Sequence, residues 1–183
     1  MEFQGKTITL KDGRTAMLRA PRPDPDAPEM VRFLSETLGE TPFMLRYPEE
    51  LRLTEEQERA TLERSLANPD ELLIFCELEG RIAGTCHISF MSGIKTRHRA
   101  SVGIVLRQSC WSLGIGTAML RELIAVARGR EGVKQVELQF IEGNTRARAL
   151  YEKLGFRVVG ILPDAVRLKD GTLLNEYHMI LKL

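Results

Sequence analysis

The sequence predicts a mixed α/β fold of the α+β type, and three observations carry that expectation. The first half reads as short strands joined by tight turns, the middle holds one strand, helix, strand unit, and the apolar content suits a single core. With 183 residues, 43% hydrophobic and 28% charged, the chain can bury one core well and is too short for two typical domains. A single domain over residues 1–183 is expected.

Thr7–Arg19 reads as two strands, because Ile8 and Leu10, then Ala16 and Leu18, alternate on either side of the turn Lys11-Asp12-Gly13. Four prolines make Ala20–Pro28 a rigid, non-helical connector. Asp26 with Glu29 three residues on resembles a capped helix start, and Val31, Leu34 and Leu38 supply an apolar stripe. Gly39–Leu53 keeps no sustained period and reads as a loop or broken helix. Thr54 and Gln57 open the next helix by the same capping logic, which ends near Asn68-Pro69.

Leu72–Leu78 and Arg81–Phe90 form an antiparallel hairpin around Glu79-Gly80, with a register that sets Cys76 against Ala83 and Cys86 against Leu73. After a polar break comes the apolar strand Val102–Leu106. Thr117–Arg128 then carries Leu120, Leu123, Ile124 and Ala127 at helical spacing, and Val133–Ile141 alternates Val136, Leu138 and Phe140. That order is the arithmetic of a right-handed crossover to a parallel neighbour. Asn144 caps a further helix closed by Gly155, and two last strands, around Val158–Leu168 and Leu173–Leu183, meet through Lys169-Asp170-Gly171.

Several classes of function are disfavoured. Lys and Arg (26) balance Asp and Glu (25), so no overall field favours nucleic acid or a membrane surface. Three cysteines without metal-ligand spacing support neither a disulfide framework nor a zinc site, and read as buried thiols. The start MEFQGKTITL lacks an apolar signal core, and no window approaches the ~20 apolar residues of a membrane span. A soluble cytoplasmic protein is expected.

The junction Leu106–Thr117 lies between a strand and a helix and contains Gly114-Ile115-Gly116. Backbone that approaches a ligand closely, followed by helix N–H groups without internal partners, favours a phosphate; the same two glycines also suit a plain tight turn or close helix packing. No Gly-Lys-Ser/Thr follows at P-loop spacing and the third glycine of a dinucleotide fingerprint is missing, so neither nucleotide hydrolysis nor hydride transfer is indicated.

Val102-Gly103-Ile104-Val105, Trp111-Ser112-Leu113-Gly114-Ile115-Gly116 and Asn144-Thr145-Arg146-Ala147-Arg148-Ala149-Leu150-Tyr151-Glu152-Lys153-Leu154-Gly155-Phe156, in that order, closely resemble the GCN5-related N-acetyltransferase (GNAT) family. The resemblance implies a mostly antiparallel central sheet with helices on both faces and a splayed parallel strand pair, and acetyl-CoA as cosubstrate. It implies that Ile104, Val105 and Leu106 bind the pantetheine arm, and that Trp111, Ser112, Leu113, Gly114, Ile115, Gly116 and Thr117 surround the pyrophosphate. Asn144 would contact the cofactor, and Tyr151 would serve as the acid for the leaving thiolate. Arg146, Arg148 and Lys153 would face the ribose phosphate, though a solvated helix face accounts for them nearly as well. Helix capping and core packing are the plain alternatives for Asn144 and Tyr151.

The chain departs from the family at Ser101, where many relatives carry Glu, which leaves a base reached through water, or His87, Glu137 or the carboxylates around Glu40 as its source, or no base at all for an amine already partly neutral. Glu40, Phe43, Arg46, Tyr47 and Tyr177 are expected to line the acceptor side. The leading reading is acetylation of a primary amine on a small molecule. Acetylation of a protein N-terminus or lysine is the neighbouring alternative, and a non-catalytic acyl-CoA sensor the more distant one. Similar proteins often form dimers, so a homodimer is also considered.

Overall fold

The structure, a computed structural model, describes Met1 and residues 3–183. Strands β1 (Lys6–Thr9) and β2 (Thr15–Arg19) are followed by helices α1 (Pro23–Glu40) and α2 (Glu55–Ala67). Then come β3 (Glu71–Leu78), β4 (Arg81–Phe90), β5 (Arg99–Leu106), α3 (Ile115–Gly129), β6 (Gln135–Ile141), α4 (Thr145–Lys153), β7 (Arg157–Arg167) and β8 (Leu173–Lys182). All eight strands join one sheet in the order β1-β2-β3-β4-β5-β6-β8-β7. Every pair is antiparallel except β5 with β6, where the crossover through α3 returns the chain in the same direction.

The two faces of the sheet bury different helices. Leu18, Ile74, Cys86, Ile88, Ala100 and Val136 pack against Met119, Leu120 and Leu123 of α3 and Tyr151 of α4. Phe75 and Ile82, pointing the other way, pack against Ala27, Met30 and Phe33 of α1 and Leu62 of α2. Alternation along each strand delivers a side chain to each layer in turn. Cys76, Cys86 and Cys110 are all buried free thiols, and burial pushes Cys76 up to about 12. Among the described residues no helix is long and apolar enough to cross a membrane.

Helix α1 corrects the sequence expectation. Ala20–Pro28 is not a connector, because α1 already runs from Pro23, with Arg22 rather than Asp26 as its N-cap. Pro23 and Pro25 fall in the first turn, where N–H groups have no helical partner to lose. Pro28 does forfeit a bond inside the helix, at ~3 kcal/mol. Fully burying side chains such as Met30 and Phe33, at ~2 kcal/mol each, outweighs it. The buried stripe is Ala27, Met30, Phe33, Thr37 and Leu38, rotated from the Val31–Leu34–Leu38 line; Val31 and Leu34 flank it half-buried.

Asp26 lies inside this helix at 3% exposure. Its carboxylate accepts from the Arg19 guanidinium at 2.6 and 2.8 Å and from the Arg22 backbone N–H at 2.6 Å. Burial alone would raise its pKa, but these hydrogen bonds and the positive charges of Arg19 and Arg22 outweigh it and hold the group below the usual carboxylate range. A folded value below the unfolded one means the stabilisation is present above about pH 4 and is lost as pH falls through the folded value. Asp26→Asn should therefore cost ~2 kcal/mol at pH 7 and flatten the loss of stability below about pH 4. Urea unfolding across that range measures both effects.

Two local expectations fare differently. The Thr54 capping box forms, with Gln57 N–H donating to Thr54 Oγ1 at 3.2 Å and Thr54 N–H to Gln57 Oε1 at 3.0 Å. The β3–β4 register, however, is shifted: Leu78 faces Arg81 across Glu79-Gly80 as expected, but a bulge leaves Ala83 unopposed, so Cys76 faces Gly84 and Cys86 faces Ile74. The freed Ala83 carbonyl accepts the Arg107 backbone N–H at 3.0 Å, which ties the bulge to the end of β5.

Candidate active site

The site is built where β5 and β6 part. They pair only at Arg99 with Gln135, Ala100 with Val136 and Ser101 with Glu137. Beyond that rung β5 stays with β4 as far as Leu106, while β6 stays with β8 as far as Ile141 opposite Glu176. The divergence opens a cleft of ≈ 510 Å³ between the two strands, roofed by α4 on one side and by the segment after α1 on the other. Ser101, the family departure, is the last paired residue before the opening.

At one end of the cleft lies the turn into α3. Gly114 caps the helix at φ 93, a left-handed conformation that other residues adopt only with strain. Helix α3 therefore starts at Ile115, two residues earlier than its apolar period suggests. Gly116 is fixed by space instead. A Cβ there would sit 3.0 Å from Leu150 Cδ2 and 3.4 Å from Leu106 Cδ1, so its absence lets α3 close onto β5 and α4 together. The backbone N–H groups of Ser112 through Thr117 have no acceptor among the described residues, the first internal bond being Ala118 N–H to the Gly114 carbonyl at 3.1 Å. Those donors and the helix dipole make a local anion cradle.

Trp111 and Arg146 flank the cradle. The Trp111 indole N–H donates to the Leu106 carbonyl at 3.1 Å, which fixes the ring beside the end of β5. Arg146 lies over that ring, 4.9 Å from its centroid, and donates to Ser112 Oγ at 2.6 Å. Ile104, Val105, Leu106, Trp111, Asn144, Arg146 and Tyr151 thus line one cleft. Lys153, at the far end of α4, does not, and Arg148 pairs with Glu152 on the exposed face.

Asn144 acts as the helix cap that the sequence suggests, its Oδ1 accepting from Ala147 N–H at 3.2 Å while its side chain borders the cleft. Tyr151 is 7% exposed, with its ring between Phe140 and Phe156 at centroid distances of 6.2 and 6.1 Å. Burial pushes its phenol up to about 12, so the hydroxyl keeps its proton at neutral pH. Core aromatic and cleft-lining hydroxyl are here the same residue.

The sequence-based candidates for a base are held elsewhere. Glu137 is gripped bidentately by Arg99 at 2.5 and 2.6 Å and accepts from Gln135 at 2.6 Å; the Arg99 hydrogen bond holds it below its ordinary value. Glu40 accepts the Gln108 backbone N–H at 2.7 Å, outside the cleft. His87 lies against Gly103 on β5 and does not line the cleft.

The expected acceptor lining is also corrected. Of Glu40, Phe43, Arg46, Tyr47 and Tyr177, only Phe43 borders the cleft, its ring lying over Gly143. Tyr177 stacks on Phe140 at 5.1 Å within the core side of β8. Tyr47 accepts the Lys169 backbone N–H at 2.9 Å and lies under its ammonium, while Glu49 pairs with Lys169, so the loop is pinned to the β7–β8 turn. Thr41, Met44, Leu45, Gln139, Phe140 and Glu176 complete this end of the cleft. Sequence reading misses Gln139 and Glu176 because only the β6–β8 register brings them to it.

Comparison with known proteins is consistent with this geometry. The family model described as Acetyltransferase (GNAT) family matches residues 33–156. L-amino acid N-acetyltransferase AaaT of Escherichia coli (strain K12) is 26% identical over 107 residues, which is 58% of this chain and 65%, just under two thirds, of that protein. The acetyltransferase of GNAT family from Streptococcus pneumoniae superposes with a TM-score of 0.84 at 26% identity, over 92% of this chain and 99% of that one. YncA of Salmonella typhimurium, solved with its cofactor acetyl-CoA, shares the fold at a TM-score of 0.77 and 19% identity, over 92% and 94% of the two chains.

Proposed function

The chain belongs to the GNAT family of acetyltransferases, and from that premise and the cleft we propose that it moves the acetyl group of acetyl-CoA onto a primary amine of a small molecule. The observation that carries the reading is the parting of β5 from β6 with an unpartnered amide cradle at one end and the Tyr151 hydroxyl inside. The residues present suit acetyl-CoA. The free N–H groups of Ser112–Thr117 match a pyrophosphate, and among the described residues no carboxylate lines that end of the cleft.

Acetyl-CoA supplies a thioester whose carbonyl carbon an amine attacks. Residues Ile104–Leu106 of β5 would hold the thioester arm along the open strand edge, and Asn144 would border it from the α4 side. As the neutral amine bonds to the carbonyl carbon and the carbon–sulfur bond breaks with its electron pair leaving on sulfur, Tyr151 would give its proton to that sulfur. The nitrogen's surplus proton would pass to water, from which the phenolate is reprotonated, and a protonated phenol is what its burial maintains. With Ser101 in place of a carboxylate and Glu137 bound to Arg99, no base acts from the closed end of the strand pair.

The test is thiol release from acetyl-CoA by purified protein over a panel of primary amines, including amino acids because the Escherichia coli relative is named for them. Turnover of at least one amine, with calorimetric binding of acetyl-CoA, is the expected result. Binding without turnover on any amine would favour the sensor reading, and no binding would remove both.

A further inference from the structure

Only two charged side chains border the cleft among the described residues, Arg146 and Glu176, and they lie at opposite ends. Arg146 is engaged at the cradle by Ser112 and Trp111. Glu176 stands on β8 opposite Ile141, where β6 has parted from β5. Its side chain is 21% exposed, and Oε1 lies 3.0 Å from Nε2 of His178, whose own ladder partner is Gln139. Phe43, Met44 and Leu45, from the segment after α1, line the same cleft, with Thr41 and Gln139 as neutral polar groups. This end therefore offers one carboxylate, in contact with the His178 imidazole, and an apolar wall, with no arginine or lysine among the described residues that line it.

We infer that Glu176 receives the ammonium of the acceptor, and that the acceptor is a small monoamine on an apolar group with no carboxylate beside the amine. The inference rests on the acetyl-transfer reading for which end of the cleft takes the acceptor. A half-buried carboxylate facing an apolar wall favours an ammonium with a hydrocarbon substituent. A free amino acid brings a second carboxylate that Glu176 repels and that, among the described residues lining this end, no arginine or lysine neutralises. Glu176 is thus a specificity-determining residue, and His178 positions its carboxylate.

The experiment compares 2-phenylethylamine with phenylalanine, which differ by that carboxylate. Wild-type protein should acetylate 2-phenylethylamine with a kcat/KM about 100-fold higher. Glu176→Gln should lower kcat/KM for the amine about 30-fold, mainly through KM, and narrow the gap to phenylalanine, with the Kd of acetyl-CoA unchanged. Equal or better use of phenylalanine, or a Glu176→Gln protein matching wild type on 2-phenylethylamine, overturns the inference. Calorimetric binding of 2-phenylethylamine to the CoA-bound protein separates this outcome from failure of the acetyl-transfer reading. If nothing is acetylated, that reading falls, while Glu176 still stands if the amine binds and Glu176→Gln weakens it about tenfold, and falls if the amine does not bind or the variant binds equally.

Discussion

Replacing Tyr151 with Phe is expected to lower kcat about 10²- to 10³-fold while leaving the Kd of acetyl-CoA within about twofold of wild type. The change removes one oxygen and keeps the ring, which packs between Phe140 and Phe156 in the α3–α4 layer. Stability should therefore hold, and the melting temperature checks that control. A proton delivered to departing sulfur is needed only as the carbon–sulfur bond breaks, so its loss falls on kcat rather than on binding. The pH profile adds a second readout. Because burial pushes the phenol up to about 12, activity should climb as the amine substrate loses its proton and should show no decline from Tyr151 up to about pH 11. Full kcat in the Phe variant would return Tyr151 to a purely structural role.

Local signals explain what is legible in the sequence. Gly114, the Asn144 cap and the Thr54 box each act within a few residues of themselves, and each occupies its expected place, whereas Gly116 is demanded by Leu150 and Leu106, which are distant in the chain. The strand, helix, strand unit is equally local, which is why the single parallel pair is predictable. Helix α1 is not, because its three prolines argue against a helix and only the burial of Ala27, Met30 and Phe33 under Phe75 and Ile82 decides otherwise. The bulge at Ala83 depends on an acceptor demanded by Arg107, from another strand end. The acceptor end is least legible of all, since Gln139 and Glu176 reach it through a register that period alone cannot set.

Arg107 is where the largest stability effect is expected, because it ties α1 to the start of the loop that leads into the cradle. Its side chain is 6% exposed. Nε donates to the Ile82 carbonyl at 2.7 Å, NH2 reaches Glu29 at 3.0 Å, NH1 pairs with Glu36, and the guanidinium lies 5.2 Å from the centre of the Phe33 ring. The next residue, Gln108, gives its backbone N–H to Glu40 at the end of the same helix. Truncation to Ala would leave the Ile82 carbonyl without its side-chain partner in a buried place and take from Glu29 one of its arginine partners, a loss at the lower end of the 3–5 kcal/mol class for a broken buried pair. Glu36 is half-exposed and Glu29 keeps Arg32 at 2.9 Å, so about 3 kcal/mol is expected in urea unfolding. That is a large share of the ~5–15 kcal/mol that holds a domain folded. Arg107→Lys keeps the charge but not the planar fork, and should recover under half of the loss. Both variants free the start of the Gln108–Gly114 loop, so acetyl-CoA affinity should fall about tenfold even under conditions where the protein is fully folded, because the cradle must then be ordered as it binds.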